Sequence, residues 1–272
     1  QIAQLIHSAA MRPVPEVAIV AALGLLAGVC GKRWVIPKSG LNLYLVLLAK
    51  SGIGKEAMHE GISMFIHGVQ AKYPGVHEFF DFSEYASGQA LTKAAAERSS
   101  FLQVSSEFGR RLKRMSEAND KALQDLRTTM TKLYSKSGPE AFVGGISYSD
   151  KEKNVGTVSG IAYSMIGDST PGTFREALTE DMMEDGFMSR FTVVEHEGDR
   201  PPENPFPITA LPEGCAAWFA ELVTQAMTLD QNNAYQPVTR EHHAAEMLDA
   251  FNLECDASIN RAGDDNSRRQ MW

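Results

Sequence analysis

The chain has 272 residues, of which 43% are hydrophobic and 22% are charged, and its formal net charge is -8. This composition excludes an intrinsically disordered chain, because it supplies enough apolar surface for a sizeable core. The acidic balance excludes a surface that attracts nucleic acid or an anionic membrane as a whole, so any contact with DNA must come from a local basic patch.

The cysteines and the apolar segments narrow the class of protein further. Cys30, Cys215 and Cys255 are far apart and show no CxxC spacing, which argues against a disulfide framework or structural zinc and favours a reducing cytosol. The longest apolar run, residues 17–30, is shorter than the roughly 20 residues that span a bilayer, so a buried helix is predicted and no membrane partner is expected. The chain begins without a signal peptide pattern and ends in a charged, helix-like stretch, and we expect it to be a piece of a longer protein.

In chain order, apolar spacing predicts strands that alternate with helices. Helices are predicted at residues 1–10, 15–30, 56–71, 87–98, 119–136, 173–183, 213–227 and 239–259. Strands are predicted at 41–48, 76–82, 101–104, 142–148, 158–166 and 191–195, and five prolines make 200–212 a linker. The alternation predicts an α/β fold with a layered sheet. We therefore expect a helical lead-in over 1–35, a core over 36–200, and a helical region after the linker over 201–272.

The segment after the first predicted strand has the pattern of a phosphate-binding loop. The predicted nucleotide-binding residues are Ala49, Lys50, Ser51, Gly52, Ile53, Gly54, Lys55 and Glu56. The glycines allow backbone N–H groups to wrap phosphate oxygens, and Lys55 would place its charge on the β and γ phosphates. Ala49 replaces the first glycine of the usual pattern, and Glu56 replaces the Ser or Thr that holds magnesium. The alternative is an ordinary glycine-containing turn between a strand and a helix.

A second acidic element follows the predicted strand at 101–104. Glu107 occupies the position of the catalytic glutamate that polarises water in many ATPases, and Ser106 stands where an aspartate usually assists the metal. We predict that Glu56 and Ser106 have exchanged roles, so that Mg²⁺ still meets one carboxylate and one hydroxyl. The alternative is that metal binding has decayed and the ATPase is weak or inactive.

Three further groups of residues are candidates for contacts with phosphate or nucleic acid. Ser169 or Thr170 would sense the γ-phosphate from the end of a strand, or would cap the helix that begins at Pro171. Arg190 would act as a finger on a neighbouring subunit's nucleotide, or would form a surface ion pair. Lys151 and Lys153 would contact nucleic acid from a hairpin tip, or would simply be solvated.

The densest basic cluster consists of Arg110, Arg111, Lys113 and Arg114. Taken by itself, this cluster is best interpreted as a solvated helix face.

These motifs occur in a fixed order along the chain. After the helical lead-in come LYLVLLAKSGIGK (43–55), SSEFG (105–109), STP (169–171) and DGFMSRF (185–191). From about residue 14 to residue 195 the chain thus resembles a largely uncharacterised family of RecA-like P-loop ATPases of phages and prophages, which often follow a primase-type domain and look like replicative helicases.

The resemblance implies a RecA-like P-loop NTPase with a parallel sheet flanked by helices and with helical N- and C-terminal extensions. It implies Lys55 as the phosphate lysine, Glu107 as the acidic catalyst and Arg190 as the finger. It also implies ATP and Mg²⁺ as cofactors and a homo-oligomeric ring, which we expect to be hexameric. The expected partners are single-stranded or forked DNA and a primase domain or primase protein. The expected location is the cytoplasm of a bacterial host cell. The rival function is a nucleotide-dependent assembly or helicase-loader ATPase that does not translocate.

Overall fold

The computed structural model describes residues 1–117, 119–145, 154–263 and 265. Its helices are α1 (Ile2–Ala9), α2 (Pro15–Cys30), α3 (Ala57–Gln70), α4 (Gly88–Glu97), α5 (Phe108–Ser116), α6 (Lys121–Tyr134), α7 (Pro171–Ala177), α8 (Glu180–Glu184), α9 (Glu213–Gln231) and α10 (His242–Ala262). Its strands are β1 (Trp34–Val35), β2 (Tyr44–Ala49), β3 (Phe80–Asp81), β4 (Ser100–Ser105), β5 (Phe142–Val143), β6 (Val158–Ser159), β7 (Ala162–Ser169), β8 (Phe191–His196) and β9 (Gln236–Pro237). No helix in these ranges is long and apolar enough to cross a membrane.

Five strands form one sheet in the order β3-β4-β7-β2-β8, and every pairing in it is parallel. The predicted α/β class is therefore confirmed: the fold is a parallel sheet flanked by helices. Strand β7 is central, and β2 lies beside it, pairing with β7 on one side and with the edge strand β8 on the other. Because parallel strands end at a common edge, the loops after β2, β4 and β7 meet at one edge of the sheet.

Side chains along β2 alternate between two hydrophobic clusters, so the sheet is buried on both faces. Leu45 and Leu47 belong to the cluster that contains residues of α1, α2, α3 and α9. Tyr44 and Val46 belong to the cluster on the other face, with residues of α4 to α7. Burying one such leucine fully stabilises the fold by roughly 1.5–3 kcal/mol.

Helix α2 lies directly on the sheet because two of its glycines permit close approach. A Cβ atom on Gly24 would lie 2.8 Å from Ile166 Cγ2, and one on Gly28 would lie 2.9 Å from the carbonyl oxygen of Phe79. The predicted helix at 15–30 therefore matches α2, and the segment predicted as a lead-in contributes to the same hydrophobic cluster as the sheet. Helix α9, predicted to lie beyond a linker, contributes to that cluster as well.

Two predicted elements are wrong in kind or length. The strand expected at 76–82 is a 3-10 helix over Pro74–Phe79 followed by only two residues of β3. Pro74 begins this turn because its ring fixes φ at a helical value and its missing N–H is not needed there. The helix expected at 173–183 is two helices, α7 and α8, because Leu178 and Thr179 have extended backbone between them.

Other differences concern short elements. The strand expected at 158–166 is broken into β6 and β7 at Gly160, whose φ of +57° turns the chain. Of the strand expected at 142–148, the structure describes only β5, which pairs antiparallel with β6. Helix α5 was not among the predicted elements, although its basic residues were predicted to form a helix face, and the short pair of β1 with β9 was not predicted.

Candidate functional site

The loop between β2 and α3, residues 50–56, contains two glycines in backbone conformations that are uncommon for other residues. Gly52 has φ of +72° and Gly54 has φ of +111°, conformations that side chains disfavour. Ile53 between them is 2% exposed and anchors the loop in the core beneath it. The buried Ala49 ends β2, while Lys50 and Ser51 are exposed. Glycines of this kind turn successive N–H groups toward a common point, where an anion can bind.

Helix α3 points its N-terminus at the same place. It begins at Ala57, and Glu56 in the preceding position makes no side-chain cap to the first turn. The N–H groups of Ala57 and Met58 already donate to the carbonyls of Gly54 and Lys55, at 3.2 and 3.0 Å, so the first turn offers an anion mainly the positive end of the helix dipole. A loop followed by such a helix is suited to phosphate groups.

Lys55 is held at the end of the loop by a carboxylate that sequence reasoning did not select. Its Nζ lies 2.7 Å from Oδ2 of Asp168 on β7, and the two side chains are only 17% and 12% exposed. Oδ1 of the same carboxylate accepts a hydrogen bond from the backbone N–H of Glu107 at 3.3 Å. Asp168 thus connects the phosphate lysine to the turn after β4.

The predicted second acidic element lies at this edge of the sheet, but not beside β2. Strand β7 separates β4 from β2, so Ser106 and Glu107 reach the site from two strands away. Glu107 has φ of +52° and ψ of +37°, a left-handed conformation that is uncommon outside glycine and clusters at functional sites. Its carboxylate lies 2.8 Å from Arg110, with both side chains exposed.

Ser106 pairs with a histidine on α3. Its Oγ lies 3.0 Å from Nε2 of His59, one helical turn after Lys55. Burial lowers the pKa of His59 from its usual value near 6.5, and the negative charge of Asp168 opposes this shift. The imidazole is therefore mostly uncharged at neutral pH and can exchange a hydrogen bond with the Ser106 hydroxyl.

The predicted metal pair of Glu56 and Ser106 is not in contact. Glu56 lines a cavity on the other flank of the loop with Arg12, while Ser106 bonds to His59. Ser106 and Glu107 follow β4, and Asp168 lies near the end of β7, the strand that pairs with β4. Within the described residues, no group of three or more His, Cys, Asp or Glu side chains is arranged to hold a metal ion.

The two predicted sensor residues lie at the correct strand end but bond locally. Ser169 Oγ donates to the carbonyl of Thr170 at 3.0 Å, and Thr170 Oγ1 donates to Thr173 Oγ1 at 2.9 Å. Thr170 occupies the N-cap position of α7, with Pro171 as the first helical residue, although its side chain bonds to no backbone N–H there. The neighbouring Asp168 is the residue of this strand end that reaches Lys55.

Arg190 lies at the opposite edge of the sheet from the loop. It precedes β8, whose first residue pairs with Tyr44 at the start of β2, so the loop is about 18 Å further along the strand direction. Its Nε donates to the carbonyl of Thr131 at 3.1 Å, and Nη1 donates to the carbonyl of Gly186. The side chain therefore ties the end of α6 to the turn before β8, and the finger role stays a prediction.

The basic cluster on α5 is paired within the chain. Arg110 contacts Glu107, Arg111 contacts Glu84, Lys113 approaches Glu176 and Arg114 contacts Asp120. This arrangement is that of an ion-paired helix surface. The hairpin lysines, Lys151 and Lys153, lie outside the described residues.

Asp168 and His59 are the candidate site residues that sequence reasoning missed. A usable signal for Asp168 was present, because a lone carboxylate at the end of a strand with an apolar middle needs a cationic partner. No comparable signal marked His59, since its contact with Ser106 depends on how α3 lies across the end of β4.

Comparisons with known proteins add no family assignment. The sequence matches no protein-family model, and a search of curated proteins finds no match.

Proposed function

We propose that the chain is a P-loop nucleotide-binding domain that binds ATP at residues 50–56 and hydrolyses it. The observation that carries this proposal is the ion pair of Lys55 and Asp168 beneath a loop with two positive-φ glycines. Phosphate oxygens could take the place of the Asp168 carboxylate on the Lys55 ammonium, while loop N–H groups and the N-terminus of α3 bind the remaining phosphate charge.

Hydrolysis would use the carboxylates at the ends of β4 and β7. Glu107 is the candidate general base, because it follows β4 at the edge where the γ-phosphate would lie, and its carboxylate would have to leave Arg110 to act on water. Mg²⁺ would be held by Asp168 and Ser106 together with phosphate oxygens, and would supply charge stabilisation for the transferring phosphoryl group. The alternative metal pair of Glu56 and Ser106 requires Glu56 to turn away from the Arg12 side of the loop.

The resemblance to phage and prophage ATPases extends the proposal to a replicative DNA helicase that acts as a RecA-like ring. In such a ring, Arg190 would have to leave its carbonyl partners on α6 and in the turn before β8 to reach a neighbour's nucleotide. A parallel sheet with the loop after an interior strand, β2, is compatible with a RecA-like core.

A second candidate is a nucleotide-dependent assembly or loader ATPase that does not move along DNA. The observation that favours it is the charge distribution: the basic residues of α5 are paired with carboxylates of the same chain, and the whole chain carries a formal net charge of -8. Phosphate contacts from Lys and Arg supply most of the affinity of non-specific DNA binding, and these side chains are already engaged.

The deciding experiment measures ATP hydrolysis with and without single-stranded DNA. We expect turnover in the wild type and its loss in Lys55→Ala, because the mutant lacks the charge on the phosphates. Lys72→Ala, at an exposed lysine beyond the end of α3, is the matched control and should keep wild-type turnover. Stimulation by DNA would support the helicase, turnover indifferent to DNA would support the loader, and no nucleotide binding by the wild type would refute both.

A further inference from the structure

A cavity of about 260 Å³ lies beside the phosphate loop, on the flank away from Asp168. It is lined by Met11, Arg12, Gly52, Gly54, Glu56, Ala57, Glu60 and Arg200. Lys55 and Asp168 do not line it, and Asp168 belongs to β7, whereas Arg200 follows β8 on the other side of β2. The loop therefore has two different flanks: one carries the carboxylates at the ends of β4 and β7, and the other carries this cavity.

The cavity is assembled from segments that lie far apart in the sequence. The turn between α1 and α2 lies against the loop so closely that a Cβ on Gly54 would be 2.7 Å from the carbonyl oxygen of Arg12. The Arg12 guanidinium donates to the carbonyl of Pro201 at 2.9 Å and lies 3.8 Å from Glu203. Asn204 donates its backbone N–H to the carbonyl of Met11 at 2.8 Å. These contacts hold the turn and the segment after β8 together as one wall of the cavity.

Apart from Arg12, the charged groups that line this space are unused inside the part of the chain that the structure describes. Among the described residues, the side chains of Glu56, Glu60 and Arg200 form no hydrogen bond or ion pair, and all three are exposed. Met11 is 48% exposed and offers a polarisable apolar surface beside them. The guanidinium of Arg200 and the thioether of Met11 are suited to packing against an aromatic base. The carboxylates of Glu56 and Glu60 are suited to accepting hydrogen bonds from the hydroxyl groups of a sugar.

We infer that this cavity binds the nucleoside half of the nucleotide, with the ribose hydroxyls donating to Glu60 and the base against Met11 and Arg200. This inference rests on the proposed binding of a triphosphate at the loop. With the terminal phosphate at Lys55, in place of the Asp168 carboxylate, the phosphate chain would run along the loop past Gly54 and Gly52, and the nucleoside would emerge into the cavity on the far flank. The ligand class is a nucleoside triphosphate, as opposed to a simple polyphosphate.

The test compares ATP with inorganic tripolyphosphate, each with Mg²⁺, by titration calorimetry of the whole chain. We expect the wild type to bind ATP at least about tenfold more tightly than tripolyphosphate, since a hydrogen bond to a charged group contributes on this scale. Glu60→Ala should weaken ATP binding about tenfold. The same change should leave tripolyphosphate binding unchanged or slightly tighter, because it removes a negative charge near an anion.

A weaker affinity for ATP without a weaker affinity for tripolyphosphate separates a lost contact from a damaged fold. Glu254→Ala, at an exposed glutamate on α10, is the matched control and should alter neither affinity. The nucleoside site would be overturned if the wild type bound the two ligands equally tightly, or if Glu60→Ala left the preference for ATP intact. Neither result would contradict phosphate binding at the loop. If the wild type binds neither ligand, the proposed function itself fails, and the nucleoside site fails with it.

Discussion

Asp168 is a carboxylate at the end of a strand whose eight residues are all buried. Its partner, Lys55, lies in a loop more than a hundred positions earlier, so nothing in the local sequence connects the two. Hydrogen-bonding propensity directed attention to Ser169 and Thr170, whose hydroxyls instead satisfy neighbouring groups. The loop glycines and Lys55 were predictable because their chemistry is local, whereas the choice of counter-charge depends on β7 lying next to β2.

At this scale, Asp168→Asn should separate nucleotide binding from hydrolysis. Loss of the negative charge frees the Lys55 ammonium for phosphate, so ATP affinity should be kept or increased. Turnover should fall by about a hundredfold or more, in the range seen when one preorganised charged group is removed. Calorimetric binding and steady-state hydrolysis would measure the two effects, with Asp249→Asn on α10 as control. Unchanged turnover in Asp168→Asn would show that this residue has no role in hydrolysis.

Among the elements, the apolar helix α2 and the strands β2, β4 and β8 were predictable, whereas the 3-10 helix before β3, the bounds of α5 and the pair of β1 with β9 were not. Helix α2 and strand β2 are apolar over most of their length, and each was predicted within a few residues of its observed bounds. The 3-10 helix before β3 contains enough apolar residues to imitate a strand, but Pro74 and Gly75 favour a turn. Helix α5 carries four basic residues on a short segment, and its apolar face emerges only from packing against β7 and α7.

The close contact of α2 with the sheet gives a test at the element scale. In an open helical position, Gly→Ala stabilises by up to about 1 kcal/mol. At Gly28 the new methyl group would meet the Phe79 carbonyl oxygen and the Cβ of Leu102, so Gly28→Ala should instead destabilise by roughly 1–3 kcal/mol. The measurement is the free energy of unfolding in urea.

Gly214→Ala is the matched control for Gly28→Ala, because Gly214 lies in α9 and its new methyl group would meet no atom within 4 Å. It should raise the free energy of unfolding or leave it unchanged. If Gly28→Ala raised the free energy of unfolding, the distance between α2 and β4 would have to be larger than in the structure.

For the whole molecule, helices that precede and follow the strands of the sheet contribute to one core with it. Phe219 on α9 is fully buried and packs edge-on against Phe65 of α3, with ring centroids 5.3 Å apart. The sequence pattern separated α9 from the core because five prolines precede it. Prolines disfavour regular structure within the segment, but they do not prevent the chain from returning to the sheet afterwards.

Phe219→Ala should therefore cost about 3–5 kcal/mol of unfolding free energy, as for other large core side chains. The loss should appear as a lower urea midpoint of the main transition, since α9 shares a hydrophobic cluster with β2 and β4. Phe206→Ala, at a residue 88% exposed in the proline-rich segment, should leave that midpoint unchanged. A separate early transition in the Phe219 variant would indicate that α9 unfolds independently of the sheet.

The contact of Arg12 with Gly54 has a consequence for dissecting or transplanting this site. A fragment cut at the motif boundaries, residues 36–200, would retain every loop residue yet lack the backbone that lies against Gly54 and the segment that Arg12 secures. The loop in such a fragment would be free to sample other conformations, and ligands would meet a higher entropic cost of ordering it. A fragment that keeps the loop in its native conformation must therefore include the turn before α2 and the residues through Asn204, because both segments support the loop.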